Sequence, residues 1–259
     1  AYTNKGLAYS FLGQFENSIE NFGEAIRLDP GRPSHYFNRG LAYISIGQID
    51  KAIADFGEVI RLRPQDIVAL YNRGNAYSLL GQYENAIKDY GRVLAIEPTT
   101  VEAYVNRGNA YSDIGRYEEA IKDFDESIRR DPEVAQAYNS RGTTLVELGR
   151  ADESISDFDK AISLESGYAD AYSNRAGALI SLGFTQRALE DLGKALNNDP
   201  QLASAYVNRA IVNTMLGNDI EAQEDYVKAL DLGVDGTGLM EAMQRVVNTR
   251  QSNGTGNGG

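Results

Sequence analysis

The sequence predicts an all-α chain: a solenoid of seven 34-residue helix-turn-helix units followed by one more helix. Three observations carry this. Gly13, Gly47, Gly81, Gly115, Gly149, Gly183 and Gly217 recur at intervals of 34 residues without insertion or deletion, the mark of an internal repeat. Pro30, Pro64, Pro98, Pro132 and Pro200 keep the same interval, with Ser166 and Val234 in the two phases that lack proline. Between these marks, apolar residues return every three or four positions, the period of a helix with one buried face.

Residues 67–100 show how each element arises. Leu70, Gly74, Tyr77 and Leu80 form a stripe that stops at Gly81, so a first helix ends there. Tyr83, Ala86, Ile87, Tyr90, Leu94 and Ile96 form a second stripe that closes before Pro98, whose ring disfavours helix in the residue before it. Two such helices cannot bury their apolar faces alone, so neighbouring units must stack. The register gives units at 1–32, 33–66, 67–100, 101–134, 135–168, 169–202 and 203–236. The first unit lacks its two opening positions, so the chain is expected to begin inside a helix, as a segment cut from a longer protein. Leu239, Met240, Met243, Val246 and Val247 predict a last amphipathic helix over 237–250. The polar, glycine-rich composition of 251–259, mostly Ser, Asn and Gly, predicts a disordered tail.

Composition narrows the function. With 25 Lys+Arg against 37 Asp+Glu the net charge is −12, and no run of four basic residues exists to release counterions from a phosphate backbone. Neither nucleic acid nor an anionic membrane is therefore an expected partner. The chain has no cysteine, which removes disulfides, thiolate metal sites and cysteine nucleophiles. His35, the one histidine, occupies a phase filled elsewhere by alanine, where packing is its expected role. Asp123/Asp125 and Asp157/Asp159 are two residues apart, which on a helix aims them about 200° apart and not at one ion. Without a phosphate loop, a histidine pair or a serine triad, the chain is not expected to be an enzyme, and no cofactor or metal is expected.

The residues also carry a resemblance. The segment "LYNRGNAYSLLGQYENAIKDYGRVLAIEP" resembles a tetratricopeptide repeat, with Leu70 or Tyr2, Tyr36, Tyr104, Tyr138, Tyr172 and Tyr206 at the bulky fourth position. Gly6, Gly40, Gly74, Gly108 and Gly142 and then Ala52, Ala86, Ala120, Ala188 and Ala222 extend the match. The resemblance implies a right-handed superhelical solenoid, a last helix that caps the final repeat, and a concave groove that binds proteins. Departures collect late: Ala176 and Ala210 replace the glycine, and Leu145, Leu179 and Asn213 replace a tyrosine. The last repeats are therefore expected to pack less tightly.

Two polar columns follow the repeat. Arg39, Arg73, Arg107, Arg141, Arg175 and Arg209 are each followed 16 residues later by Asp55, Asp89, Asp123, Asp157, Asp191 and Asp225. In the first unit both members change together, to Lys5 and Asn21. They are expected to be ion pairs between the two helices of a unit, since an unpaired buried charge costs several kcal/mol. The second column is Asn4, Asn38, Asn72, Asn106, Asn174 and Asn208, interrupted by Ser140. Repeats of O-GlcNAc transferase have a similar ladder, whose amides hold the backbone of an extended peptide. The other reading is that each amide caps or bridges neighbouring helices.

The remaining first-helix positions, placed as the family fold implies, are uneven. Leu7, Phe11, Phe37, Leu41, Ile44, Val68, Tyr71, Leu79 and Val105 give way to Glu102, Asp113, Glu147 and Asp170, with no Lys or Arg among them. Thr3, Phe37, Tyr71 and Val105 stand where the family's dicarboxylate clamp has its first lysine, which argues against that subtype. The expected function is a noncatalytic scaffold that binds an extended or helical protein segment having apolar and basic residues. Its expected peptide-binding residues are the six ladder asparagines with Phe37, Leu41, Tyr71, Leu79, Asp113 and Glu147. A self-associating assembly scaffold, possible as a homo-oligomer, and a substrate-recruiting module of a larger enzyme are the alternatives.

Overall fold

The computed structural model describes residues 1–255, which form fifteen helices and no strand. Contacts divide the chain into two compact units, Ala1–Asp131 and Pro132–Gly259. The first holds α1 (Tyr2–Phe11), α2 (Phe15–Leu28), α3 (Pro33–Ser45), α4 (Ile49–Leu62), α5 (Ile67–Leu79), α6 (Tyr83–Ile96), α7 (Val101–Asp113) and α8 (Tyr117–Arg130). The second holds α9 (Ala135–Glu147), α10 (Ala151–Leu164), α11 (Ala169–Ser181), α12 (Thr185–Asn198), α13 (Ala203–Leu216), α14 (Asp219–Asp231) and α15 (Gly236–Thr255). Within each unit consecutive helices pack in antiparallel pairs, and each pair stacks on the next, the arrangement of a helical repeat solenoid. Among the described residues no helix is long and apolar enough to cross a membrane.

The periodic glycines end the first helices in the one way that needs glycine. All seven have φ between 68° and 83°, left-handed values that a Cβ would strain. At Gly81 the turn closes with the amides of Gly81 and Gln82 on the carbonyls of Ser78 and Tyr77.

A second set of glycines lets the two helices of a repeat approach. A Cβ on Gly108 would lie 2.7 Å from the Phe124 ring, and Gly6, Gly40, Gly74 and Gly142 stand likewise against Phe22, Phe56, Tyr90 and Phe158. Here the structure corrects the expectation of looser late repeats for the sixth repeat, though not for the seventh, where Ile220 and Val227 of α14 stay exposed. In the sixth repeat Ala176 faces a smaller Leu192, and both are fully buried. The volume added on one helix is removed from the other, so packing is kept.

The Arg/Asp column forms the expected pairs. Arg107 donates from Nε and Nη2 to the two oxygens of Asp123, each at 2.7 Å, and the other five pairs share this two-pronged geometry. These bonds hold the guanidinium groups of Arg39, Arg73, Arg107 and Arg209 above their ordinary pKa. Tyrosine rings flank the arginines, as where Arg107 lies 5.8 Å and 5.9 Å from the rings of Tyr104 and Tyr111. In the last repeat Asn213 replaces that second ring and donates to Asp225 at 3.1 Å. In the first repeat Asn21 turns back to the Asn17 carbonyl. His35 is only 3% exposed and shares a 3.0 Å hydrogen bond with Thr3, so it links α3 to α1 as well as packing.

The terminal helix runs Gly236–Thr255 and so extends past the predicted end at 250. The predicted tail is thereby corrected over 251–255; the rest of it, 256–259, lies outside the described residues. Local bonds support the extension: Thr249 Oγ1 donates to the Arg245 carbonyl and Ser252 Oγ to that of Thr249. α15 packs mainly on α13, with Leu239 buried and Arg250 Nη1 donating to the Thr214 carbonyl at 3.0 Å. Truncation after residue 237 uncovers that surface, so amide exchange across 203–236 should speed at least tenfold. Unchanged exchange there shows that α15 does not cover the last repeat.

Candidate functional site

The candidate site is the first-helix side of residues 1–131, where α3, α5 and α7 carry the predicted binding residues. What the ladder amides do depends on the helix behind them. Asn106 Nδ2, on α7, donates to Tyr71 Oη at 2.9 Å and Asn75 Oδ1 at 3.1 Å, both on α5. In the second unit Asn174 repeats this with Asn139 and Thr143, and Asn208 reaches the Ser173 carbonyl. In each case the acceptor lies 35 or 31 residues earlier. At those offsets from Asn72 stand Phe37 and Leu41, which offer no side-chain acceptor, and Asn72 instead donates to the Val68 carbonyl of its own helix at 2.7 Å. Asn38 is half-buried and Asn4 exposed, and among the described residues neither side chain has a hydrogen-bond partner. Three ladder amides thus bridge repeats, as the second reading of the sequence has it, and those of the first three repeats do not.

Among the pockets of this unit, two hold predicted residues. The smaller, of ≈ 210 Å³, has Phe37 and Val68 in its wall with Val59, Arg63 and Asp66. The Phe37 ring packs on Phe56 with centroids 5.7 Å apart. The larger, of ≈ 350 Å³, lies between the third and fourth repeats. α5 contributes Asn75, Ser78 and Leu79, α6 contributes Tyr83 and Tyr90, and α7 contributes Asn106, Asn109 and Asp113. Tyr90 Oη donates to Asn75 Oδ1 at 2.7 Å, which joins Tyr90, Asn75, Asn106 and Tyr71 into one network. Burial pushes the Tyr90 hydroxyl up to about 12 and raises that of Tyr71, so both stay protonated. Asp113 is open to solvent on one side, and desolvation on the other raises its carboxyl pKa.

The structure therefore brings Leu79, Asn106 and Asp113 to one pocket and places Phe37 at another. Tyr71 stacks against Tyr90 with centroids 5.9 Å apart, and Leu41 is exposed on α3. Glu147 is exposed at the end of α9, in the second unit. Sequence reading missed Asn75, Asn109 and the Tyr90 hydroxyl. Their signal was present: Asn75 and Asn109 fill a phase occupied elsewhere by Leu7, Leu41, Thr143, Gly177 and Ile211. Among the described residues no three acidic or histidine side chains gather as for a metal ion.

Comparison with known proteins agrees with this architecture. No curated protein matches the chain. Among solved structures, a tetratricopeptide repeat protein from Parabacteroides merdae superposes with a TM-score of 0.81 at 24% identity, over 95% of this chain and 97% of that one. MamA from Desulfovibrio magneticus gives 0.61 at 24% identity, over 64% and 94%. YrrB, described as a TPR protein with an unusual peptide-binding site, gives 0.53 at 24% identity, over 73% and 97%. The family model described as TPR repeat matches residues 6–47, 40–81 and 74–115, and two described as tetratricopeptide repeat match 101–134 and 135–168. With these matches and the helical array, the chain belongs to the tetratricopeptide repeat family.

Proposed function

We propose that the chain is a noncatalytic interaction scaffold that binds an extended or helical segment of a partner protein on the first helices of residues 1–131. One observation carries this: exposed apolar residues there, Leu41, Val68 and Leu79, are followed by the carboxylates of Glu102 and Asp113. An apolar stretch that water still covers, ending in unpaired negative charge, suits a segment with apolar residues followed by Lys or Arg. The family membership and the peptide-binding site named for YrrB support the same reading. The amides of the first three repeats remain for a peptide backbone, each worth about 0.5–1.5 kcal/mol net, so side-chain contacts must supply most of the roughly 8 kcal/mol of a micromolar complex.

The test is selection of displayed random 12-residue peptides on the intact chain. Enriched sequences should place apolar residues before basic ones, and their affinity should fall as salt screens the exposed carboxylates. Leu79→Ser with Asp113→Lys should weaken them at least thirtyfold with Tm within a few degrees. Equal binding by that variant, or no enrichment, removes the reading. Self-association is the second reading, favoured by Phe11, 93% exposed at the end of α1 beside exposed Leu12 and Leu7. A sedimentation coefficient that does not change with concentration excludes it.

A further inference from the structure

We infer that the pocket between the third and fourth repeats is a receptor for a single arginine side chain of the bound segment. This rests on the scaffold reading and deepens it. Departures from the repeat at separate phases converge on this one pocket. Asn75 and Asn109 stand where other repeats have Leu, Thr, Gly or Ile, and Asp113 where others have Phe11, Ser45, Leu79, Glu147, Ser181 and Met215. Tyr90 stands where four other repeats have Phe22, Phe56, Phe124 and Phe158. Phenylalanine fills that core position without help, so the hydroxyl of Tyr90 adds a 3.4 Å hydrogen bond with Ser78 Oγ and a shorter one, 2.7 Å, to Asn75.

That bond fixes the pocket floor. Asn75 Oδ1 accepts from both Tyr90 and Asn106, and Asn106 uses its Nδ2 on Asn75 and Tyr71, which leaves its Oδ1 without a protein partner. Among the described residues the side chains of Asn109 and Asp113 have no hydrogen-bond or ion-pair partner. The wall thus offers one carboxylate, spare amide oxygens and the partly exposed ring of Tyr83, with Tyr90 buried behind it, and no Lys or Arg lines it. A cation with several divergent donors and a flat face fits this set better than a compact ammonium. That group is a guanidinium, which bonds a carboxylate and amide oxygens in one plane and stacks on aromatic rings. The volume, ≈ 350 Å³, admits the side chain with water to spare.

The probe is Nα-acetyl-L-arginine methylamide, titrated into the intact chain while the side-chain amide resonances of Asn75, Asn106 and Asn109 are followed by NMR. Saturable shifts at Asn106 and Asn109 are expected in the millimolar range. The lysine analogue should bind at least threefold, and the neutral citrulline analogue at least tenfold, more weakly. Asp113→Asn should remove about tenfold for arginine with no change in Tm, and Tyr90→Phe, which keeps the ring, a smaller factor. Equal shifts from arginine and citrulline, or shifts unaltered by Asp113→Asn, overturn the pocket. The peptide selection separates the two ideas. Selected peptides that bind the first helices without preferring arginine over citrulline leave the scaffold standing and defeat the pocket. Arginine-specific shifts without any selected peptide do the reverse.

Discussion

Arg107→Asp is expected to destabilise the fourth repeat by about 3–5 kcal/mol, the usual result of removing one partner from a buried pair. Asp123 sits between α7 and α8 with its side chain 9% exposed, and both of its oxygens accept from Arg107. The substitution replaces two charge-assisted bonds with two facing carboxylates. Arg107 itself is 21% exposed, so a water-facing edge softens the loss toward the lower figure. The exchange Arg107→Asp with Asp123→Arg should restore part of it, with a coupling of about 0.5–3 kcal/mol in the double-mutant cycle. Stability is best read from amide exchange in α7 and α8, because long repeat arrays need not unfold in one step. A cycle without coupling ends the assignment of these columns as ion pairs.

Gly108→Ala should cost about 1–3 kcal/mol although alanine is the better helix former by about 1 kcal/mol. The new Cβ would sit 2.7 Å from Cε1 of Phe124, a fully buried ring that would have to shift. The sixth repeat already shows the remedy, pairing Ala176 with Leu192. Gly108→Ala with Phe124→Leu should therefore come within about 1 kcal/mol of the parent protein, far better than the two single losses added. Urea titration of the three variants measures this. A neutral or stabilised Gly108→Ala shows that ring contact is not what keeps glycine at this phase.

The helices and turns were legible because each unit writes the same stripes and the same glycine in one unbroken register, so one repeat could be checked against six others. The Arg/Asp pairs were legible for the same reason, since both members recur at a fixed offset and change together at Lys5 and Asn21. What escaped depends on residues that break the register. The role of Asn106 rests on Tyr71 and Asn75 in the repeat before it, and that of Asn72 on the absence of such acceptors at Phe37 and Leu41. A column read by itself cannot show this. The same limit made Ala176 look like looser packing until Leu192 was seen opposite it. Tyr90 was read as core by its phase; its hydroxyl shows only beside Asn75.

The most direct test of the scaffold function is to map backbone amide shifts of the intact chain on titration with a selected apolar-then-basic peptide. The predicted result is a set of perturbations along α3, α5 and α7, centred on Phe37, Tyr71, Leu79 and Asp113, that shrinks as salt is raised. Perturbations confined to α4, α6 and α8, with the first helices silent, would contradict it.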